Sequence, residues 1–185
     1  SGVKDVVMTN DPFDEAERNI WLNSYKKDER FKAALRIDPL LNGGSDMLQQ
    51  LQSWGYDVED QLDERIYSEV RRFLREWVER MDAVYMAVSL PPTFKFPEDS
   101  MRAKLIENCV LPVCREYNIP FAMMIGVKKL VNPELQLAGD SVGKSDIDTV
   151  EYLCANYPHN KFMVTMLARE NQHELCVAAR KFRNL

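Results

Sequence analysis

The sequence of 185 residues lacks the features that mark several classes of protein. It has no apolar run near the roughly 20 residues that span a bilayer, and its N-terminus does not resemble a signal peptide. Its net charge is -5, and it has no stripe of clustered cations such as binds phosphate backbones. The densest basic stretch, 71–80, alternates with glutamates and indicates a solvated helix face. We therefore expect neither a membrane nor a nucleic acid as partner.

Cysteine and histidine are both scarce. The four cysteines form no CxxC pair, and each has an apolar, helix-like context that predicts a reduced core residue: Cys109, Cys114, Cys154 and Cys176. Reduced thiols favour the cytoplasm over a secreted compartment. The two histidines lie apart without a third potential metal ligand, so we expect a loop residue at His159 and a surface residue at His173.

Five short runs are nearly continuous in apolar residues, which is typical of parallel strands buried on both faces. They cover 5–9, 31–37, 83–90, 120–127 and 161–167. Stretches with apolar residues every three or four positions predict helices between and after these strands, at 14–26, 45–55, 63–81, 99–116, 145–157 and 171–182. We expect Ser45, Ser145 and Asn171 to cap the helices that they begin.

Strands that alternate with helices predict βαβ units and a parallel sheet, in a single α/β domain over residues 1–185. Two architectures fit this pattern: an incomplete TIM-type (β/α)₈ barrel, or an open doubly wound sheet. No GxGxxG or GxxxxGK[ST] motif supports a nucleotide-binding open sheet. A complete barrel needs about 250 residues, so the chain supplies about five of eight units.

Polar residues follow the predicted strands, at the edge where parallel α/β proteins build their sites. Thr9-Asn10-Asp11 follows the first strand, and Arg36-Ile37-Asp38 follows the second. Lys128-Lys129 and Arg169-Glu170-Asn171 follow the fourth and fifth. This placement predicts a site without choosing between the two architectures.

Three of these strand ends resemble the uronate isomerase family of the amidohydrolase superfamily. Thr9-Asn10-Asp11-Pro12-Phe13-Asp14 is similar to the family's Thr-Asp-Asp-Pro-Ile-Asp, and Leu35-Arg36-Ile37-Asp38-Pro39 to its Trp-Arg-Pro-Asp turn. Leu167-Ala168-Arg169-Glu170-Asn171 resembles its Asn-Pro-Arg-Asp-Asn. Ile125-Gly126 and Gly139-Asp140-Ser141-Val142-Gly143 match further family stretches in order. The resemblance covers nearly the whole chain and implies the central part of a (β/α)₈ barrel.

The resemblance also implies a function in carbohydrate metabolism. Family members interconvert the aldose and ketose forms of glucuronate or galacturonate, with a proton moved between C1 and C2. A divalent metal, commonly zinc, would polarise the reacting carbonyl in the full-length protein, and an arginine fork would hold the sugar carboxylate. The candidate residues for binding a small sugar acid are Arg36, Asp38, Arg169, Lys128, Lys129, Asn10 and Asp11. No catalytic residue is assigned.

Each candidate also has a structural explanation. Arg36 could form an ion pair with Asp38, and Asn-Asp-Pro at 10–12 could form a turn that starts a helix. The two lysines could be a solvated pair, and residues 170–171 could simply begin the last helix. The Pro-rich stretch 91–100 could be an active-site lid, or a connection whose Phe94 and Phe96 pack against something, such as a neighbouring subunit.

The sequence departs from the family where the family binds metal. Met124 stands where the family has a histidine before Ile-Gly, and 87–90 has none where the family has Ser-Asp-His-Gly. The family's His-x-His and its late aspartate are also absent. We therefore expect no metal site within this chain and no activity from it alone.

Three explanations for these departures remain open: a fragment of a longer protein, a divergent relative with altered chemistry, and a non-catalytic paralogue. The alternative functions are a non-catalytic module that binds a sugar acid or a partner, and a metal-dependent hydrolase of the same superfamily. Because a five-unit sheet exposes its edges, we also expect a homo-oligomer.

Overall fold

Five parallel strands form the main sheet in a computed structural model that describes residues 2–23, 28–59 and 61–185. They lie in chain order, each hydrogen bonded to the next: β1 (Val6–Asn10), β2 (Phe31–Arg36), β3 (Met86–Leu90), β4 (Phe121–Ile125) and β7 (Phe162–Met166). Each begins and ends within one residue of a predicted run, except that β3 starts three residues later and β4 ends two residues earlier than predicted. The predicted α/β fold with five strands is confirmed.

The strand order decides between the two predicted architectures. A doubly wound sheet reverses direction at a switch point, so its strand order departs from the chain order. The main sheet here runs β1-β2-β3-β4-β7 without a reversal. With right-handed crossovers, the connecting helices then lie on one side of the sheet, as in a (β/α) barrel. The sheet is therefore an arc of a barrel.

The helices within the described residues fall close to the predicted stretches, except α2, which was not predicted. They are α1 (Glu15–Leu22), α2 (Asp38–Asn42), α3 (Ser45–Ser53), α4 (Glu64–Met81), α5 (Met101–Leu105), α6 (Leu111–Glu116), α7 (Ile147–Asn156) and α8 (Arg169–Ala179). A π-helical turn, Ile106–Val110, joins α5 to α6, where one helix was predicted. The first helix ends at Leu22, and its predicted end at 26 lies outside the described residues. No helix in these ranges is both long and apolar enough to cross a membrane.

The three predicted helix caps are wrong. Ser45 is the first residue of α3, and no side chain caps that helix. The cap of α7 is Asp146, whose carboxylate accepts the amide N–H two residues on at 3.0 Å, instead of Ser145. Helix α8 begins at Arg169, which places Asn171 inside its first turn. Only α7 has another capping side chain in place of the predicted one, whereas the residues before α3 and α8, Gly44 and Ala168, provide no side-chain cap.

The hydrophobic core lies between one face of the sheet and the helices. Helix α4 buries the apolar stripe that its spacing predicts, including Phe73 and Trp77. The strand β3 buries every second residue, Met86, Val88 and Leu90, on this outer face.

The opposite, inner face of the sheet is open to solvent. Met124 on β4 is 40% exposed and Met163 on β7 is 48% exposed, while β1 is exposed along most of its length. The prediction that the strands are buried on both faces is therefore wrong for this face. The described residues provide no layer that covers it.

The loop at 91–100 packs against the chain's own core. Phe94 and Phe96 are buried. The Phe96 ring lies 6.0 Å from the ring of Tyr152, which is in α7, and 6.0 Å from that of Tyr157, which follows α7. The suggestion that these rings face a neighbouring subunit is wrong, and the packed connection is the better interpretation. Three of the four free thiols are buried, but Cys176 is exposed on α8, so the core prediction is wrong for that residue.

A short β-arm, which the sequence did not predict, follows β4. Its strands β5 (Val127–Lys128) and β6 (Ser141–Val142) pair antiparallel, and a 3₁₀ segment (Pro133–Gly139) lies between them. A Cβ atom on Gly139 would lie 1.9 Å from the carbonyl oxygen of Asn132, so only glycine fits this position. The β5–β6 arm projects from the edge of the sheet where the parallel strands end.

Candidate functional site

The carboxyl ends of the parallel strands meet at one edge of the sheet, and two adjoining cavities open there. The inner-face cavity, of about 360 Å³, lies against the open side of the sheet and includes Met124, Met163 and Thr165. The strand-end cavity, of about 480 Å³, lies beyond the strands and includes Asn42, Arg102 and Lys129. Arg36, Asp38 and Ser89 line both cavities. They form the wall that the two cavities share.

Arg36 is the last residue of β2 and pairs with Asp38. Its Nε donates to Oδ2 of Asp38 at 3.0 Å, and its Nη2 donates to Oδ1 at 3.3 Å. This pairing raises the pKa of Arg36, so the guanidinium remains charged. Its Nη1 has no hydrogen-bond partner in the parts of the chain that the structure describes. The ion pair is therefore present, and one side of the guanidinium still faces the cavities.

Asp38 is held from a second direction by the end of β3. The backbone N–H of Ser89 donates to Oδ1 of Asp38 at 3.1 Å. The side chain of Asp38 is only 16% exposed, whereas that of Arg36 is 44% exposed. The carboxylate thus anchors the arginine to the framework of the sheet.

Asn10 and Asp11 face α1 and form a turn. The Nδ2 of Asn10 and the backbone N–H of Asp11 both donate to Oε2 of Glu17, at 3.3 Å and 2.8 Å. The Asp11 carboxylate accepts the N–H of Phe13 at 2.8 Å. Burial raises the pKa of Asp11, partly offset by this hydrogen bond and by the charge of Arg36. Neither residue lines the two cavities, so the turn explains their contacts, and their role in substrate binding stays a prediction.

The two lysines occupy different surroundings. Lys129 lines the strand-end cavity, and its Nζ lies 2.6 Å from Oδ2 of Asp140. This ion pair and the Leu130 backbone N–H lower the pKa of Asp140. Lys128 is exposed on β5 and lines neither cavity. Asp140 therefore closes the base of the β5–β6 arm and fixes Lys129 beside the site.

Arg169 lies apart from the other candidates. It is the exposed first residue of α8 and lines neither cavity, and Glu170 follows it in the first turn, where an acid suits the helix dipole. Of the seven predicted binding residues, the structure brings together Arg36, Asp38 and Lys129.

Asn171 has a contact that its sequence position did not indicate. Its side chain is fully buried and clamps the backbone of Ser145, the residue before the cap of α7. Oδ1 of Asn171 accepts the Ser145 N–H at 2.9 Å, and Nδ2 donates to the Ser145 carbonyl at 2.8 Å. The clamp ties the start of α7 to the start of α8 beside the site.

The residues present do not fit a divalent metal. In the described ranges, no three or more His, Cys, Asp or Glu side chains are grouped so that they could hold one. Met124, at the family's histidine position, points a thioether into the inner-face cavity, and thioethers suit softer metals than zinc. His159 lies before β7, at the end of the strand away from the cavities, and His173 is exposed on α8.

Comparison with known proteins gives a strong match among solved structures. No protein-family model matches the chain, and a comparison with curated proteins finds no match. A uronate isomerase from Bacillus halodurans matches 98% of this chain with 62% identity and a TM-score of 0.97. The chain is similar to part of a uronate isomerase. This uronate-isomerase-like chain covers 43% of the Bacillus protein.

Two more distant structures share the fold. A uronate isomerase from Thermotoga maritima is 13% identical with a TM-score of 0.75, and a glucuronate isomerase from Caulobacter crescentus is 12% identical with a TM-score of 0.72. Each matches 98% of the uronate-isomerase-like chain, which covers 48% and 45% of their lengths. The chain thus spans less than half of all three proteins. None of these similarities favours the two alternative functions, a metal-dependent hydrolase and a non-catalytic binding module.

Proposed function

We propose that the protein containing this chain interconverts the aldose and ketose forms of a sugar acid such as glucuronate or galacturonate. The observation that carries the proposal is the 62% identity to a uronate isomerase over 98% of the chain. We further propose that the chain forms one α/β domain, acts in the cytoplasm, and contributes the edge of the site that holds the sugar carboxylate.

Arg36 is the proposed partner of that carboxylate. An arginine with a free guanidinium edge can bind a carboxylate through two hydrogen bonds, and each such charged bond is worth about 1.5–3 kcal/mol. Asp38 occupies Nε and part of Nη2, which leaves Nη1 and the second hydrogen of Nη2 for the substrate. Asp38 therefore orients the fork without blocking it.

The charges of the strand-end cavity favour an anionic ligand. Arg36 and Lys129 are each paired with an aspartate. Arg102, the third cation of this cavity, donates to the Leu41 carbonyl and the Asn42 side-chain oxygen, and it contacts no carboxylate of the described chain. The cavity therefore keeps one positive charge in excess, which raises the local concentration of a sugar acid.

A divalent metal such as zinc belongs, in this proposal, to the full-length protein. Its ligands come from outside this chain, because the residues described here do not fit a metal. We therefore expect the isolated chain to be inactive. The open inner face would be covered by further barrel strands, or by another copy of the chain when it is alone.

A chimera tests the proposed activity. The chain replaces the matched 43% of the Bacillus halodurans uronate isomerase, and the conversion of glucuronate to its ketose is measured. We expect an active chimera. Arg36→Gln should lower kcat/KM about 100-fold, which corresponds to about 2.8 kcal/mol at about 1.4 kcal/mol per tenfold change. Arg36→Lys keeps the charge but loses the fork, so its loss should be smaller.

Arg115→Gln is the matched control, because Arg115 is exposed on α6 and away from both cavities. It should keep the activity of the chimera. A chimera that folds as well as the Bacillus enzyme but converts no glucuronate would overturn the proposed function. An Arg36→Gln chimera with unchanged kcat/KM would overturn the role of Arg36.

A further inference from the structure

Arg102 on α5 fastens the end of α2 through two hydrogen bonds. Its Nε donates to the Leu41 carbonyl at 3.1 Å, and its Nη2 donates to Oδ1 of Asn42 at 3.0 Å. The last carbonyls of a helix lack partners within the helix, so an arginine placed there satisfies one of them. This contact alone would make Arg102 a staple between two helices.

The contact with Asn42 has a second effect, because it selects the orientation of the Asn42 amide. Arginine is only a donor, so the amide must turn its oxygen to Arg102 and its nitrogen the other way. Nδ2 of Asn42 then donates to the Ser89 carbonyl at 3.0 Å. With the amide reversed, two oxygens would face each other at Ser89. Arg102 thus selects the Asn42 orientation that gives α2 a second hydrogen bond to Ser89, beside the one between the Ser89 N–H and Asp38.

The same residue of β3 holds the partner of Arg36. The Ser89 N–H donates to Asp38, and Asp38 receives the guanidinium of Arg36. The hydrogen bonds therefore run without a gap from Arg102 through Asn42, Ser89 and Asp38 to Arg36. All five residues line the strand-end cavity. The path joins α5 to the tip of β2, which are far apart in the sequence.

We propose that Arg102 is a positioning residue that holds the Arg36 guanidinium in place for the substrate carboxylate. This inference rests on the proposed function for the identity of the ligand, but not for the ordering of Arg36. If Arg102 were only a staple, its bond to the Leu41 carbonyl would suffice, and the orientation of Asn42 would not affect Arg36.

The test uses NMR of the 185-residue chain, observing the Nε–H signal of Arg36. Arg102→Gln removes the charge and the fork. Asn42→Ala keeps the bond from Arg102 to the Leu41 carbonyl but cuts the path to Ser89. We expect both variants to speed hydrogen exchange at the Arg36 Nε–H at least tenfold. Arg102→Lys can still donate to the Asn42 oxygen, so it should stay within threefold of the unmodified chain, as should the control Arg115→Gln.

Sodium glucuronate is then titrated into each chain, with glucose as the uncharged comparison. We expect Arg102→Gln and Asn42→Ala to weaken glucuronate binding at least fivefold, and Arg102→Lys to restore it. The inference is overturned if, in both Arg102→Gln and Asn42→Ala, the hydrogen-exchange rate of the Arg36 Nε–H stays within twofold of the rate in the unmodified chain. If exchange speeds up but the unmodified chain never binds glucuronate, the positioning of Arg36 stands and the proposed ligand falls.

Discussion

Replacing Asn171 with alanine should be among the most damaging single changes near the site. The side chain is fully buried, and Ser145, whose backbone it clamps, is only 7% exposed. Alanine leaves the Ser145 N–H and carbonyl without these partners at 2.9 Å and 2.8 Å. A buried polar group that loses its partner costs about 1–3 kcal/mol. Two such groups, with partial relief from an entering water, give a loss of roughly 3 kcal/mol.

The loss can be measured by urea unfolding followed by circular dichroism. For a chain of this size, about 3 kcal/mol corresponds to a fall in Tm of roughly 6–12 °C. The matched control is Asn156→Ala, because Asn156 makes a hydrogen bond to the Tyr152 carbonyl at the exposed end of α7. That change should cost no more than about 0.5 kcal/mol. If Asn171→Ala were no more destabilising than the control, the clamp would not stabilise the fold and our reasoning would be refuted.

Three further outcomes are expected. The lowered pKa of Asp140 means that its ion pair stabilises the β5–β6 arm fully above about pH 3.9, the value of an unfolded aspartate. That contribution is lost as the pH falls through the lower folded pKa, so hydrogen-exchange protection of the Leu130 amide should decrease there and not near neutrality. Met124→Lys on the open inner face should reduce self-association of the chain in light scattering, whereas Val177→Lys on the exposed side of α8 should not; equal effects would place the association surface elsewhere. Phe96→Ala should cost about 3–5 kcal/mol in urea unfolding, and a cost below 1 kcal/mol would mean that the loop at 91–100 is not part of the core.

The main elements could be predicted because their signals are local. Parallel strands packed under helices are short apolar runs, and α4 repeats apolar residues at the helical period, so both can be recognised without knowledge of the fold. The β5–β6 arm was missed because strands of two residues are too short to show a period. The cap of α7 was missed because Ser145 and Asp146 are adjacent and both suit that position. The start of α8 was missed because Asn171 lies inside the first turn and bonds the Ser145 backbone instead.

The site was predictable to the extent that strand ends determine it. Arg36 was placed correctly because it ends a strand, and the end of a parallel strand lies at the edge where the cavities open. Arg169 was not brought to the cavities because it belongs to the helix that leads away from that edge. Arg102 and Asn42 had no sequence signal, since each acts through a partner more than 40 residues away.

The unbroken order of the strands has a consequence for recombination between relatives. Each strand of the main sheet pairs only with the strands of the preceding and following units, and the β5–β6 arm forms a separate sheet. Exchanging one βα unit for its counterpart in the Bacillus enzyme therefore disturbs at most two strand junctions. A junction near Arg36 carries the greater risk, because Asp38, which pairs with its guanidinium, is hydrogen bonded to β3, and α5 follows β3 in the same unit. A successful exchange should therefore move units two and three together.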